Sequence, residues 1–195
     1  MRPSQENYYN NLFGEELPWD LIYSSIGTPL TSDTDEKAWL RNIHHKTTHR
    51  NNDSRSKHKF CRLGCGCRRE SARHFDECPK SQKVRKFVIK LLKSVGTKNH
   101  DITLKAWAFG LDSNNKLLNM PSRAILRIWR RFNYAHLTSH ELKQSTFNCD
   151  VVIKAIAHQW MRNILAYQLS KRTYYYDKIN TNVPLFPAAC EVVVY

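Results

Sequence analysis

Long hydrophobic runs are the first thing this chain lacks. Its longest strongly apolar stretch is Val192 to Tyr195, far short of the ~20 residues that a membrane-spanning helix requires. The opening MRPSQENYYNN holds no apolar core of a secretory leader, so an intracellular location, nuclear or cytoplasmic, is expected. No Asp-Asp pair occurs anywhere, and a polymerase needs paired carboxylates for its catalytic Mg²⁺. There is no GxxxxGK[ST] loop for nucleotide phosphates and no carboxylate-rich segment for an endonuclease or ribonuclease H centre. The expectation is a chain that is not an enzyme by itself: no polymerase, nuclease or NTPase. Internal repeats are also missing, and collagen, coiled coil and secreted disulfide scaffold all fit poorly.

Acidic charge is scarce. Against 31 Lys+Arg stand 17 Asp+Glu, leaving a net +14 and a pI of about 9.7. A balance this basic implies a polyanionic partner, most simply nucleic acid, with an anionic membrane surface second. The imbalance is local. Residues 1–36 carry 1 basic and 7 acidic groups, residues 37–100 carry 18 and 4, and residues 101–195 carry 12 and 6. Three segments follow: an acidic N-terminal helical segment (1–36), a basic zinc-binding module (37–100), and a helical C-terminal region with an extended tail (101–195). The 195 residues, 41% hydrophobic and 11% aromatic, are enough for one modest core.

Periodicity predicts a mainly α fold. A short helix is expected over Gly14 to Gly27, with Trp19, Ile22, Tyr23 and Ile26 at helical spacing. A second runs from about Asp33 to His45, capped by Ser32 or Asp33, with Trp39, Leu40 and Ile43 inward. The polar, basic stretch 46–59 reads as a loop. The clearest helix spans Pro79 to Val95, where Val84, Phe87, Val88, Leu91, Leu92 and Val95 recur at steps of three and four. Lys83, Arg85, Lys86, Lys90 and Lys93 fall on its other face. A helix from Pro121 to about Leu137 buries Ile125, Ile128, Trp129 and Phe132 and places Arg123, Arg127, Arg130 and Arg131 outward or on its flanks. The last, Phe147 to Leu169, turns Val151, Ile156, Trp160, Ile164 and Tyr167 inward. AWAFG (106–110) is a short apolar piece, DSNNK (112–116) a turn, and the C-terminal tail irregular.

Chemistry concentrates in CRLGCGCRRESARHFDEC, residues 61–78. Cys61-x3-Cys65 and His74-x3-Cys78 supply two ligand pairs that can grip one Zn²⁺ from opposite sides, as a closed Cys₃His structural site. Gly64 and Gly66 allow the sharp turn that brings the first pair together. Cys67 is the alternative to Cys65, although one intervening residue makes a tight bite. Without secretory features, metal is favoured over disulfides. Cys149 suits core packing, and Cys190 a free thiol. Around the cluster, Lys57, Lys59, Arg62, Arg68, Arg69 and Arg73 are placed to meet phosphates, with Lys83, Arg85 and Lys86 extending the patch. Phe60 or Phe75 would either stack on unpaired bases or cap the knuckle's small core.

These residues resemble the zinc-binding domain at the C-terminal end of reverse transcriptases of non-LTR retrotransposons. Trp19-Asp-Leu-Ile22-Tyr23 and Ala38-Trp39-Leu40 with His44 are similar to its aromatic helices. Cys61 to Gly66, Glu70-Ser71-Ala-Arg-His74 and Cys78-Pro79 follow in the family's order, and then the amphipathic helix. Ala124 to Asn133 is similar to the tryptophan-bearing helix that follows the zinc site. The first cysteine pair departs from the family in having three intervening residues, and Cys67 is additional. The resemblance implies a small zinc knuckle among amphipathic helices, RNA or DNA as partner, and a parent RNA-directed DNA polymerase whose catalytic part is missing here. Two other readings stay open at this level. One is a zinc-stabilised helical scaffold that docks a polymerase or other retroelement protein through Trp129, Trp160 and Tyr174 to Tyr176. The other is a decayed open reading frame without selected function.

Overall fold

The computed structural model describes residues 4–43, 78–97, 102–143 and 148–172, and within them the chain is helical. The order is α1 (Ser4–Phe13), α2 (Trp19–Ser24), α3 (Asp33–Ile43), a 3₁₀ turn (Pro79–Ser81) that runs into α4 (Gln82–Ser94), α5 (Leu104–Phe109), α6 (Met120–Lys143) and α7 (Cys149–Arg172). The one β pairing among the described residues is a bridge between Leu111 and Leu117, which closes the DSNNK turn. The mainly α expectation holds. No helix among the described residues is long and apolar enough to cross a membrane.

Short polar side chains start most of these helices. At α3, Ser32 and Asp35 form a capping box: the Asp35 N–H donates to Ser32 Oγ at 3.3 Å, and the Ser32 N–H donates to Asp35 Oδ2 at 2.9 Å. Thr103 Oγ1 caps α5, Asn119 Oδ1 caps α6, and Asn148 Oδ1 caps α7. Gly110 ends α5 in the left-handed conformation at φ +71°. A Cβ there would come within 2.8 Å of Arg123 Cγ, so the position needs glycine twice over.

The N-terminal elements depart from their expected bounds. Only Trp19–Ser24 of the 14–27 stretch is α-helical. Pro18 stands at its entry in a non-helical conformation (φ −76°, ψ 74°), and Ser25 ends it by donating Oγ–H to the Ile22 carbonyl at 2.6 Å. Ile26 is therefore exposed rather than inward. The sequence reading missed α1, whose tyrosines and asparagines give little apolar period. Its Tyr9 packs edge-on against Phe109 at 4.9 Å, and Asn10 Oδ1 accepts from the Leu17 N–H and Trp19 Nε1, each at 3.0 Å.

α6 is the centre. α3, α4 and α7 all pack on it, and its Ala124 through Arg130 are buried without interruption. Here the expectation of outward arginines fails, because a helix enclosed by several neighbours has no wet face to offer them. Arg127 and Arg130 are only 3% and 2% exposed. Arg127 Nη1 donates to Glu36 Oε1 at 2.5 Å, its Nη2 donates to the Ser25 carbonyl and Oγ at 2.9 Å each, and its plane lies 4.4 Å from the Trp39 ring centre. Arg131 Nη1 reaches Asp35 Oδ1 at 3.1 Å. Among the described residues, Arg130 has no carboxylate partner. It donates to the Ala108 carbonyl and stacks 4.4 Å from the Trp107 ring centre. Burial lowers its guanidinium to about 10, which still leaves a cation in the core at neutral pH. The acidic N-terminal segment is thus spent partly inside the fold, against arginines from residues 101–195.

Along α7 the buried line is Val152, Ile156, Trp160 and Ile164. Val151, expected inward, is exposed, because the stripe runs at steps of four from Val152. The resulting core draws side chains from all three sequence segments, from Tyr9 to Ile164.

Arg127→Met should cost about 3–5 kcal/mol, since it leaves the Glu36 carboxylate buried without its counter-charge. The double variant Arg127→Met/Glu36→Leu should recover most of that loss in chemical denaturation; a double-variant loss equal to the sum of the Arg127→Met and Glu36→Leu losses would show that the pair is not coupled. A second expectation concerns alkali. Burial pushes the Tyr9 hydroxyl up to about 12 from 10. The folded state therefore holds this proton more tightly than the unfolded chain does. The resulting stabilisation is complete below pH 10 and is lost as pH rises through about 12, to the extent of roughly 2–3 kcal/mol. Tyr9→Phe should flatten the stability curve over that window, and an unchanged slope would count against it.

Candidate metal centre and nucleic-acid interface

Of the four expected zinc ligands, Cys78 lies among the described residues. Cys61, Cys65, His74 and the alternative Cys67 lie outside them, as do Lys57, Lys59, Arg62, Arg68, Arg69 and Arg73 of the expected phosphate-binding set and the aromatics Phe60 and Phe75. Among the described residues no group of three or more His, Cys, Asp or Glu is placed to hold a metal ion.

Cys78 is fully buried. Its backbone is extended (φ −58°, ψ 122°), and its carbonyl accepts from the Ser81 N–H at 2.9 Å and from Ser81 Oγ at 3.0 Å. Pro79 follows at the first position of the 3₁₀ turn, and neither that turn nor α4 has a side-chain cap. The cysteine thus stands at the head of the 3₁₀ turn that leads into α4. A buried cysteine at a rigid helix head suits Zn²⁺, which takes deprotonated sulfur. α4 fixes the position by burying Val84, Phe87, Val88, Leu91 and Leu92.

Cys149 behaves differently. It opens α7, packs half-buried against the core, and donates its S–H to the Lys80 carbonyl at 3.1 Å. Burial pushes its thiol up. A protonated hydrogen-bond donor is the opposite of what zinc takes, in keeping with a packing role.

The three described members of the basic set are not equivalent. Lys83 is exposed and pairs with Asp150 Oδ1 at 2.6 Å; the hydrogen bond to Asp150 holds its pKa above the usual lysine value. Such a solvent-exposed pair gives way readily to a competing anion. Lys86 is exposed. Arg85 is drawn in from the face it was grouped with: it is half-buried, and its Nη2 donates to the Ile102 carbonyl at 3.4 Å. That leaves it less available to phosphate than either lysine. Trp129 and Trp160, considered as docking anchors, are 0% and 2% exposed and serve the core. Tyr174 to Tyr176 and Cys190 lie outside the described residues.

The chain matches no protein-family model, no curated protein and no solved structure. The functional reading therefore rests on its own residues.

If Cys78 is a ligand and Cys149 a packing thiol, Cys78→Ser should strip zinc from the purified protein while Cys149→Ser keeps it. Elemental analysis of protein prepared without chelator reads both. A Cys67→Ser variant that loses metal while Cys65→Ser retains it would reassign the first pair.

Proposed function

We propose that this chain is a zinc-stabilised nucleic-acid-binding module, similar to the zinc-binding tail of a non-LTR retrotransposon reverse transcriptase and non-catalytic by itself. One observation carries the proposal. The Cys61, Cys65, His74, Cys78 set falls inside the segment of net +14, and its last member is a buried cysteine at the head of a helix with a lysine-rich outer face. Zn²⁺ would supply a closed tetrahedral cross-link, with four protein ligands leaving no position for a reactive water. The basic side chains beside it would meet phosphates without reading bases, since lysines and arginines spread along a strand neutralise charge whatever the sequence. Burial of Trp129 and Trp160 removes two of the anchors on which a purely protein-docking role would depend.

Binding to RNA or DNA should weaken as salt rises. With roughly four to six phosphate contacts, the log–log slope should lie at about −3 to −5. Arg68→Glu/Arg69→Glu should flatten it more than Arg172→Glu/Lys178→Glu, with zinc content intact in both. No binding at low salt would refute the nucleic-acid role.

A further inference from the structure

One face of α4 carries two lysines beyond the Lys83 and Lys86 assigned so far. Lys83, Lys86, Lys90 and Lys93 follow at steps of three, four and three, which keeps them within about 80° of the helix circumference. All four are exposed. The opposite face holds Val84, Phe87, Val88, Leu91 and Leu92, all buried, so the ridge is fixed to the core and cannot turn away. Lys86, Lys90 and Lys93 have no carboxylate partner among the described residues, and Lys83 has only the exposed Asp150. The ridge begins five residues after Cys78.

We propose that Lys83, Lys86, Lys90 and Lys93 form a linear docking ridge for the phosphodiester backbone of one nucleic-acid strand laid along α4. This rests on the nucleic-acid role proposed above and adds a place to it. From Lys83 to Lys93 the helix rises ~15 Å, which equals about four nucleotides of one strand at the ~3.4 Å rise of a duplex. Four ammonium groups therefore meet about four successive phosphates. Lysine is a compact point charge on a flexible stem, suited to phosphates of any sequence.

An anionic bilayer is the other polyanion to consider, and the ridge does not fit it. Helices that lie on membranes set large apolar side chains beside their lysines. Among the described residues, the exposed large hydrophobic ones are Tyr8, Leu12, Leu21, Ile26, Val151, Leu165 and Leu169, none of them on α4.

The test uses the full zinc-loaded chain, fluorescent 20-nucleotide single strands and duplexes in parallel, and a salt series. Lys86→Glu/Lys90→Glu/Lys93→Glu should reduce the log–log slope by about two on single strands and close to three on duplex. Lys37→Glu/Lys116→Glu/Lys154→Glu makes the same change of charge on other elements and should reduce it by less than one. Asp150→Asn acts in the opposite direction. It frees Lys83, so affinity should rise and the slope should steepen by up to one contact. Circular dichroism and zinc content check that each variant is folded.

Equal losses from the two triple variants would overturn the ridge. So would a ridge variant with unchanged slope when Arg68→Glu/Arg69→Glu flattens it, and in that case nucleic-acid binding itself stands. Wild-type protein with no binding at low salt removes both. Loss of binding to phosphatidylserine vesicles, with oligonucleotide binding unaltered, would assign the ridge to a membrane surface instead.

Discussion

A guanidinium and a carboxylate taken out of water together hold this fold in register. Arg127 of α6 and Glu36 of α3 meet at 2.5 Å with both side chains almost fully enclosed. Either charge alone in that place would be strongly destabilising, so the two helices are committed to one alignment. The remaining donors of Arg127 reach the Ser25 carbonyl and hydroxyl, which ties the end of α2 to the same point. One helical turn on, Arg131 bridges Asp35 and the Gln159 side chain. Gln159 in turn donates to Asn163, and Asn163 to the Leu30 carbonyl. A single polar line thus runs from α3 through α6 to α7 and back to the loop before α3.

That line fixes the surroundings of the cysteine cluster. The stretch 44–77 is bracketed by α3 before it and by Cys78 and α4 after it, and both helices pack on α6. The last proposed ligand and the lysines that follow it therefore belong to an element locked to the core on its apolar side. The proposed site would thus start from a fixed flank at Cys78, which would lower the entropic cost of closing it around a metal. The same framing fixes the lysine ridge in direction, so its charges are presented as a row.

Much of the helical framework was legible because burial leaves a period in the sequence. The α4 stripe from Val84 to Leu92 and the α6 positions Ile125, Ile128 and Trp129 fall where a 3.6-residue repeat puts them. What was not legible has a common cause. Arg127 and Arg130 look like the wet face of an amphipathic helix, since periodicity assumes one buried stripe and cannot count how many neighbours surround a helix. Glu36 and Asp35, the partners of Arg127 and Arg131, stand in the first turn of α3, and nothing local marks a pairing that joins residues more than 90 apart in sequence. α1 escaped because its inward side chains are Glu6, Tyr9, Asn10 and Phe13, a set with little apolar period. Of the candidate site, the place of Cys78 just ahead of α4 and of the lysines on that helix's outer face was legible from spacing, whereas the inward turn of Arg85 depends on the neighbouring Ile102 carbonyl, a tertiary feature no local pattern encodes.

The central claim is a closed Cys₃His metal site that ends on Cys78. Titration of metal-free protein with Co²⁺ tests it most directly, since a tetrahedral thiolate site turns the pale aqueous ion intensely coloured. The account predicts saturation at one Co²⁺ per chain, with visible bands of tetrahedral cobalt and near-ultraviolet thiolate charge-transfer absorption, both abolished when one equivalent of Zn²⁺ is added. A titration that leaves only the weak spectrum of the octahedral aqueous ion, with no thiolate absorption, would contradict it.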